Sequence, residues 1–272
     1  MRKTAALTMS RWVAAGLFFI SAASAARAHE VWIEPVRFQA PLASKIVAQL
    51  KIGGAFKGDL LPYIPSEIVA AHVTDGQGKR PLPGLVGDIP AIFVAPRHPG
   101  LHVVSYFTTP QRLTYKDPKK FPTFLKNQGL DGTLDAHKKR GLDVVGFTEA
   151  YSRCAKTLIT RGGAAGADSP AGMPFELIAE ANPYTAIAPL KVLPVRLLWQ
   201  GQPHVNGQIA VFRKGEPEPV AKVRTDGDGR ADIPLSAEGV YLLNAVKMIP
   251  WDEKPGDKWH SYWASLTFEV GE

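Results

Sequence analysis

Cysteine is almost absent from this chain of 272 residues. The only one is Cys154, so no internal disulfide can form, and no paired cysteines are available for a structural zinc site. Any metal ion would have to be held by histidine, carboxylate or main-chain groups. The motifs GxSxG, HExxH, GxxxxGK and GxGxxG, which are typical of common enzymes, are also missing. The sequence therefore predicts a protein that is not an enzyme and has no catalytic residue.

Long apolar runs are missing too, except near the start of the chain. A cationic start with Arg2 and Lys3 precedes an apolar run at 12–20, and residues 26–28 fit the small-x-small pattern of signal peptidase cleavage. The run is shorter than the roughly 20 residues of a membrane-spanning helix. We therefore predict a signal peptide at 1–28, which is removed on export, and a periplasmic product that is not stably inserted in a membrane.

Most of the net positive charge lies in this signal. The full chain carries 32 Lys and Arg against 25 Asp and Glu, a formal net charge of +7. Cleavage removes Arg2, Lys3, Arg11 and Arg27 and no acidic residue, which leaves +3. So small a charge gives no reason to expect nucleic-acid binding.

The composition favours strands and turns over long helices. The chain has 25 Gly and 23 Pro, which is typical of a mainly β protein. Strand patterns before residue 160 occur at 29–35, 44–52, 68–73, 91–94 and 101–107. Seven more follow at 175–178, 192–199, 208–212, 220–224, 231–235, 240–246 and 261–270.

These patterns predict two β-sandwich-like domains. The first is a β domain at 29–160, and the second, at 173–272, is an immunoglobulin-like or transthyretin-like sandwich. The stretch 161–172 is rich in Gly, Ala and Pro and is the predicted linker.

A short helical insertion is expected in the first domain. Phe121 and Leu125 are helically spaced. The run 148–159 is predicted to form a second helix, in which Glu149 and Arg153 make an i,i+4 pair.

Cleavage after residue 28 makes His29 the first residue of the mature chain. Its α-amine, with a pKa near 8 in model compounds, and its imidazole can then close a chelate ring on a transition-metal ion. Nitrogen donors suit nickel, cobalt, copper and zinc better than calcium or magnesium. His29 is therefore the first candidate metal ligand, and a divalent transition-metal ion is the expected cofactor.

Three other histidines are candidate companions to His29. His102 lies on the strand at 101–107, where a sheet holds a side chain rigidly. His98 lies in the preceding turn, and His260 is at the start of the last strand. A first strand placed beside 101–107 would let His29 and His102 share one ion.

Several short motifs, taken in order, resemble a known family. They are His29-x-x-Trp32-x-x-Pro35, Pro96-Arg-x-Pro99-Gly-Leu-His102-Val-Val-x-Tyr106, Glu149-x-Tyr-x-Arg153-x-x-Lys156, Asn182-Pro183-Tyr184 and Thr225-Asp226-x-x-Gly229-Arg230. They are similar to exported domains of unknown function that are assigned to the periplasmic component of nickel or cobalt uptake systems. The resemblance extends over nearly the whole mature chain. It implies a periplasmic metal-binding role and, as partners, the membrane components of a metal importer.

We accordingly expect a binding protein that captures nickel or cobalt through His29 and delivers the ion to a membrane uptake system. One alternative is a copper-dependent oxidase, a class in which a mature terminal histidine on a sandwich also braces the metal. Another is a metal-free carbohydrate- or protein-binding sandwich, for which Trp259, Tyr262 and Trp263 are the candidate exposed aromatic residues.

Overall fold

The computed structural model describes residues 30–185 and 190–271 of the chain. It contains three β-sheets and two short helices, so the chain is mainly β, as its composition predicts. The predicted signal peptide and His29 lie outside the described residues. Neither helix in the described part has the length and apolar character that a bilayer crossing requires.

A ten-stranded sheet forms the centre of the molecule. In spatial order its strands are β15 (Ala221–Arg224), β14 (Gln208–Arg213), β17 (Gly239–Pro250), β18 (Asp257–Val270), β10 (Thr148–Arg161), β8 (Gly100–Thr108), β5 (Ile68–Asp75) and β6 (Gly78–Pro81). Two short strands, β2 (Gln39–Ala40) and β9 (Gln111–Thr114), also pair with β10. β10 runs parallel to β18 and to β2, and the other described pairs are antiparallel.

Two four-stranded sheets cover opposite faces of the central sheet. The first contains β1 (Glu30–Pro35), β3 (Ile46–Gly54), β4 (Lys57–Leu61) and β7 (Ile92–Val94). The second contains β11 (Phe175–Ala179), β12 (Val192–Trp199), β13 (Gln202–Pro203) and β16 (Arg230–Pro234). The result is a three-layered β structure.

Side chains of β10 show how one strand serves both outer sheets. Ala155 and Ile159 join the core beneath the first outer sheet, whereas Cys154 and Leu158 join the core beneath the second. The two sets alternate because successive side chains of a strand point to opposite faces.

The prediction of a helix at 148–159 is wrong, since these residues form β10. Residues four apart lie on the same face of a strand as well as of a helix, so Glu149 and Arg153 still share one face. Both side chains are buried. The helices are instead α1 (Lys120–Asn127), which contains the predicted Phe121 and Leu125, and α2 (Thr133–Lys139).

The first strand does not lie beside the strand of His102. β1 pairs with β3, and it packs across the central sheet over β10 and β18. The hydroxyl groups of Ser265 and Thr267 on β18 donate hydrogen bonds to the carbonyl groups of Val31 and Ile33. Backbone groups of β1 on that side are therefore satisfied by side chains rather than by β8.

The predicted domains share one sheet. β8 and β10 come from 29–160 and β17 and β18 from 173–272, and they meet where β10 pairs with β18. The stretch 161–172 contains no helix and no strand after Arg161. A division of the chain into two folding units at this stretch stays a prediction.

Candidate functional site

A cleft of about 910 Å³ opens where the β3–β4 hairpin, helix α1 and the β14–β15 edge of the central sheet meet. Glu30, the first residue of β1, is part of its wall, and pairing with Gly53 of β3 fixes the main chain there. The charged residues of the lining are four lysines and two glutamates: Lys57, Lys119, Lys120, Lys222, Glu30 and Glu218. The cleft therefore has an excess of positive charge.

Helix α1 separates the cleft from the aromatic core behind it. Phe121 and Leu125 are buried on its inner side, in a cluster that also contains Tyr115. Lys120 and Phe124 face the cleft. This amphipathic arrangement follows from the helical spacing of the apolar residues.

Behind the cleft wall, a hydrogen-bond network surrounds a buried carboxyl group. Tyr115 lines the cleft, and its hydroxyl group donates to Oε2 of Glu149 at 2.5 Å. The hydroxyl of Ser261 donates to the other carboxyl oxygen, and Nε1 of Trp263 donates to Ser261 at 3.0 Å. Glu149 is fully buried.

Burial raises the pKa of Glu149, although the hydrogen bonds from Ser261 and Tyr115 and the charge of Arg153 act in the opposite direction. Burial and the adjacent carboxyl group likewise raise the pKa of Tyr115. Burial thus makes both groups harder to ionise than they are in water.

Arg153 is a buried cation next to this network. Its guanidinium group lies 4.6 Å from the ring centre of Tyr151 and 4.3 Å from that of Trp263. Burial lowers the pKa of Arg153 to about 10. Nε and Nη1 are buried and have no hydrogen-bond partner among the described residues. Trp263 also stacks on Phe124 of the cleft lining, with 5.6 Å between ring centres.

The pKa of Glu30 also depends on burial and on Arg153. Burial raises the pKa of Glu30, and its own backbone N–H and the charge of Arg153 partly counteract this effect. Independently of this shift, the four lysines outnumber the two glutamates, so positive charge predominates in the cleft.

His102 is buried in the β8 strand, far from this cleft. Its Nδ1 donates to the carbonyl of Gly100 at 3.0 Å, which leaves Nε2 as the acceptor nitrogen, 3.9 Å from a carboxyl oxygen of Asp75. Burial lowers the pKa of His102, although the Gly100 carbonyl and Asp75 favour the protonated ring. Burial therefore favours the uncharged ring.

The start of β1 is distant from His102. Val31 is hydrogen-bonded to Ser265, which pairs with Ala155, whereas His102 pairs with Ile159. At a rise of about 3.3 Å per residue, His102 lies about 13 Å further along β10. β1 runs in the direction of β10, so its first residue lies further still from His102.

His260 is buried on the opposite face of the central sheet. Its Nε2 lies 3.1 Å from the hydroxyl oxygen of Ser152, its ring stacks on Tyr262 at 4.2 Å, and Trp251 meets it edge-on at 4.9 Å. Burial lowers the pKa of His260 to about 4. Nδ1 is buried without a partner in the described part of the chain.

His102 and His260 therefore do not lie at one site. His260 pairs with Ala150 and His102 with Ile159, which places them about 30 Å apart along β10 at 3.3 Å per residue. His98 lies half-buried in the turn before β8. Within residues 30–185 and 190–271, no group of three or more His, Cys, Asp or Glu side chains is placed to hold a metal ion.

The expectation of exposed aromatic residues was wrong at two of three positions. Trp259 and Trp263 are almost fully buried, and only Tyr262 of the three predicted residues is partly exposed. His137, which the sequence did not single out, is buried and accepts a hydrogen bond from Nε1 of Trp259 at 2.9 Å. A useful signal for the cleft network was available in the alternation of Glu149, Tyr151 and Arg153, which indicates one face of a strand.

The stacked sheets place the chain among β-sandwich-type proteins, and a cationic cleft lies at the beginning of the first strand. The chain belongs to the family described as domain of unknown function DUF4198, whose model matches residues 26–248. Among curated proteins, no sequence matches it significantly.

Solved structures similar to the chain are remote in sequence. The human OSCAR ligand-binding domain is 10% identical, with 90% of this chain and 100% of that chain covered and a TM-score of 0.23. The D0-D1 domain of intimin is 9% identical, with 87% of this chain and 96% of that chain covered and a TM-score of 0.23. The BSP domain of a biofilm associated protein is 9% identical, with 88% of this chain and 29% of that chain covered and a TM-score of 0.19.

Proposed function

We propose that the mature protein captures a divalent transition-metal ion, nickel or cobalt, in the periplasm through His29 and delivers it to a membrane importer. The observation that carries this proposal is the position of Glu30 in the cleft wall. Cleavage after residue 28 creates an amino terminus one residue before Glu30, and consecutive Cα atoms are about 3.8 Å apart. The chelating group would therefore form at the cleft and not on a remote surface.

Two nitrogen donors of His29 supply the chelate. The amine must lose a proton to bind metal, which costs little near neutral pH. Glu30 offers a carboxyl oxygen next to the chelate, and because burial raises its pKa, metal would compete with a proton there. Affinity should therefore increase with pH. His102 is not included in this ligand set, because it lies too far along β10.

The charge of the cleft suggests the chemical form of the cargo. Four lysines line it against two glutamates, and Arg153 lies behind its wall. A bare dication would be repelled by these groups, whereas a complex of the ion with a small anionic organic chelator would be attracted. The carboxylates of such a chelator would pair with the lysines while the metal binds the nitrogens of His29.

Calorimetric titration of the mature protein, purified from the periplasm, tests this proposal. Nickel chloride is titrated with and without one equivalent of citrate. We expect His29→Ala, and separately one alanine added before His29, to weaken nickel binding by at least about tenfold, because each destroys the chelate ring. His98→Ala is the matched control and should bind as the wild type does. Wild-type affinity in both altered proteins would refute the proposal.

A second candidate function is binding of a carbohydrate without metal, and an aromatic patch favours it. Trp199, Trp251 and Tyr262 are partly exposed near His260, with Trp199 and Tyr262 in edge contact at 5.0 Å. Lys247 lies 5.2 Å above the ring of Trp199. Partly exposed aromatic rings of this kind suit the apolar faces of sugars. Titration with oligosaccharides, followed by tryptophan fluorescence in wild type and Trp199→Ala, tests for carbohydrate binding.

Copper-dependent peroxide production would favour the copper oxidase alternative.

A further inference from the structure

A lysine and an aspartate are in contact in the interior of the protein, away from the cleft. Lys156 on β10 is 0% exposed and Asp168 in the 161–172 stretch is 1% exposed. The Nζ atom of Lys156 lies 2.7 Å from Oδ1 and 2.9 Å from Oδ2 of Asp168. An amine nitrogen and a carboxyl group are thus held at reacting distance with almost no access to water.

The surroundings of this pair supply two further kinds of group. The backbone N–H of Ser169 donates to Oδ1 at 2.8 Å, and that of Ala179 donates to Oδ2 at 2.9 Å. Such fixed donors stabilise negative charge that develops on a carboxyl oxygen during addition of a nucleophile. Glu176 on β11 is almost fully buried and within electrostatic range of both Lys156 and Asp168.

Glu176 has the properties of a proton carrier. Burial is the largest effect on its pKa and raises it, and the charge of Asp168 acts in the same direction. Its two oxygens accept hydrogen bonds from the backbone N–H groups of Ala171 and Gly172, which fix the carboxyl group in place. A raised pKa makes a buried carboxyl group easier to protonate, and a protonated carboxyl group can pass its proton to a neighbour.

We propose that Lys156 and Asp168 condense to form an intramolecular amide bond after the chain has folded. Burying two opposite charges is costly, and a neutral amide in the same place avoids that cost. The chain has a single cysteine and so no internal disulfide. The amide would tie the 161–172 stretch covalently to the central strand β10.

The chemistry requires no oxidant and no cofactor. A proton first passes from the ammonium group of Lys156 to the carboxylate of Asp168, which gives a neutral amine and a carboxylic acid. The nitrogen lone pair then attacks Cγ of Asp168, while the backbone N–H donors hold the oxygen that becomes negative. Glu176 gives a proton to the departing oxygen and takes one from the nitrogen. A C–N bond forms, a C–O bond breaks, one water leaves, and Glu176 is regenerated.

Mass spectrometry of the denatured mature protein tests the inference directly. After overnight incubation at neutral pH, the wild type should be lighter than its sequence by the mass of one water. Trypsin should fail to cleave after Lys156, so that the peptide 154–161 is recovered joined to the peptide 162–191. A wild-type protein of full sequence mass that is cleaved normally after Lys156 would overturn the inference.

Three variants separate the amide from an ordinary ion pair. Asp168→Ala should have its full sequence mass. Asp168→Asn should lose ammonia instead of water and reach the same final mass as the cross-linked wild type, because both give the same amide. Glu176→Gln keeps the ion pair but removes the proton carrier, so it should remain at full mass while circular dichroism shows a native fold. Loss of water in Asp168→Ala, or an unchanged rate of water loss in Glu176→Gln, would contradict the mechanism.

Discussion

Acidification should destabilise the protein through His260. The side chain is 2% exposed, and burial lowers its pKa to about 4, whereas the ring titrates near 6.5 in the unfolded chain. Above pH 6.5 the ring is neutral in both states. As the pH falls below 6.5, the unfolded chain binds the proton first, so the free energy of unfolding decreases by about 1.4 kcal/mol per pH unit until pH 4. The expected loss between pH 7 and pH 5 is about 2 kcal/mol.

Urea unfolding, followed by tryptophan fluorescence at pH 7, 6 and 5, measures this loss. Other groups titrate over the same range, so the relevant quantity is the difference in pH dependence between wild type and His260→Gln. The variant loses the ring stacking on Tyr262 at every pH, but the glutamine does not titrate, and its pH dependence should be smaller by about 2 kcal/mol.

His98→Gln is the matched control, since His98 lies in a half-buried turn, and it should retain most of the pH dependence of the wild type. An equal decrease for wild type and His260→Gln, to within about 0.5 kcal/mol, would show that His260 does not titrate as a buried ring.

Three further predictions concern the cleft and its support. Gly53→Ala should destabilise the protein by about 1–3 kcal/mol in urea unfolding, because the added Cβ would lie 2.0 Å from the carbonyl oxygen of Lys57; Gly54→Ala, with 3.5 Å of clearance to Glu30, should cost much less. Glu149→Gln should remove a contribution to the pH dependence that has the opposite sign to that of His260. Because burial raises the pKa of Glu149, this contribution lowers the free energy of unfolding as the pH rises above the unfolded value near 4.5, so the variant should gain stability relative to the wild type as the pH increases; parallel curves would refute this. Phe121→Ala should cost about 3–5 kcal/mol, since its ring is fully buried, and a loss below 1 kcal/mol would contradict the packing.

Most strands were predictable because their side chains alternate. The patterns at 44–52, 68–73 and 101–107 correspond to β3, β5 and β8, with boundaries that differ by two residues or fewer. In these strands one face is more apolar than the other, so apolar residues recur at every second position, and this alternation indicates a strand. The helix around Phe121 and Leu125 was predictable for the same kind of reason, with a period near 3.6.

β10 was misassigned because the sequence does not reveal which charges are buried. Glu149, Arg153 and Lys156 are charged, and charged residues on a predicted helix are normally assigned to its exposed side. In the folded protein all three are buried, and they find partners in other segments of the chain: Tyr115 and Ser261 for Glu149, Trp263 for Arg153, and Asp168 for Lys156. Pairings over such separations are set by topology, which local patterns do not encode.

The candidate site, too, depends on strand pairings that local sequence patterns do not encode. The sequence identified the histidines one by one, but whether His102, His98 and His260 share a site depends on which strands are neighbours. β18 pairs with β10 and β1 with β3, and neither pairing follows from the strand patterns alone. The cleft beside Glu30 is formed by a hairpin, a helix and a sheet edge from three parts of the chain, so no single motif indicates it.

The position of β18 has a consequence for biogenesis. It lies between β17 and β10, so the final 14-residue strand joins β15, β14 and β17 on one side to β10, β8, β5 and β6 on the other. A nascent or translocating polypeptide must release residue 270 before these two groups of strands can be joined. A chain truncated before β18 would leave two unsatisfied sheet edges, which is a hazard for aggregation.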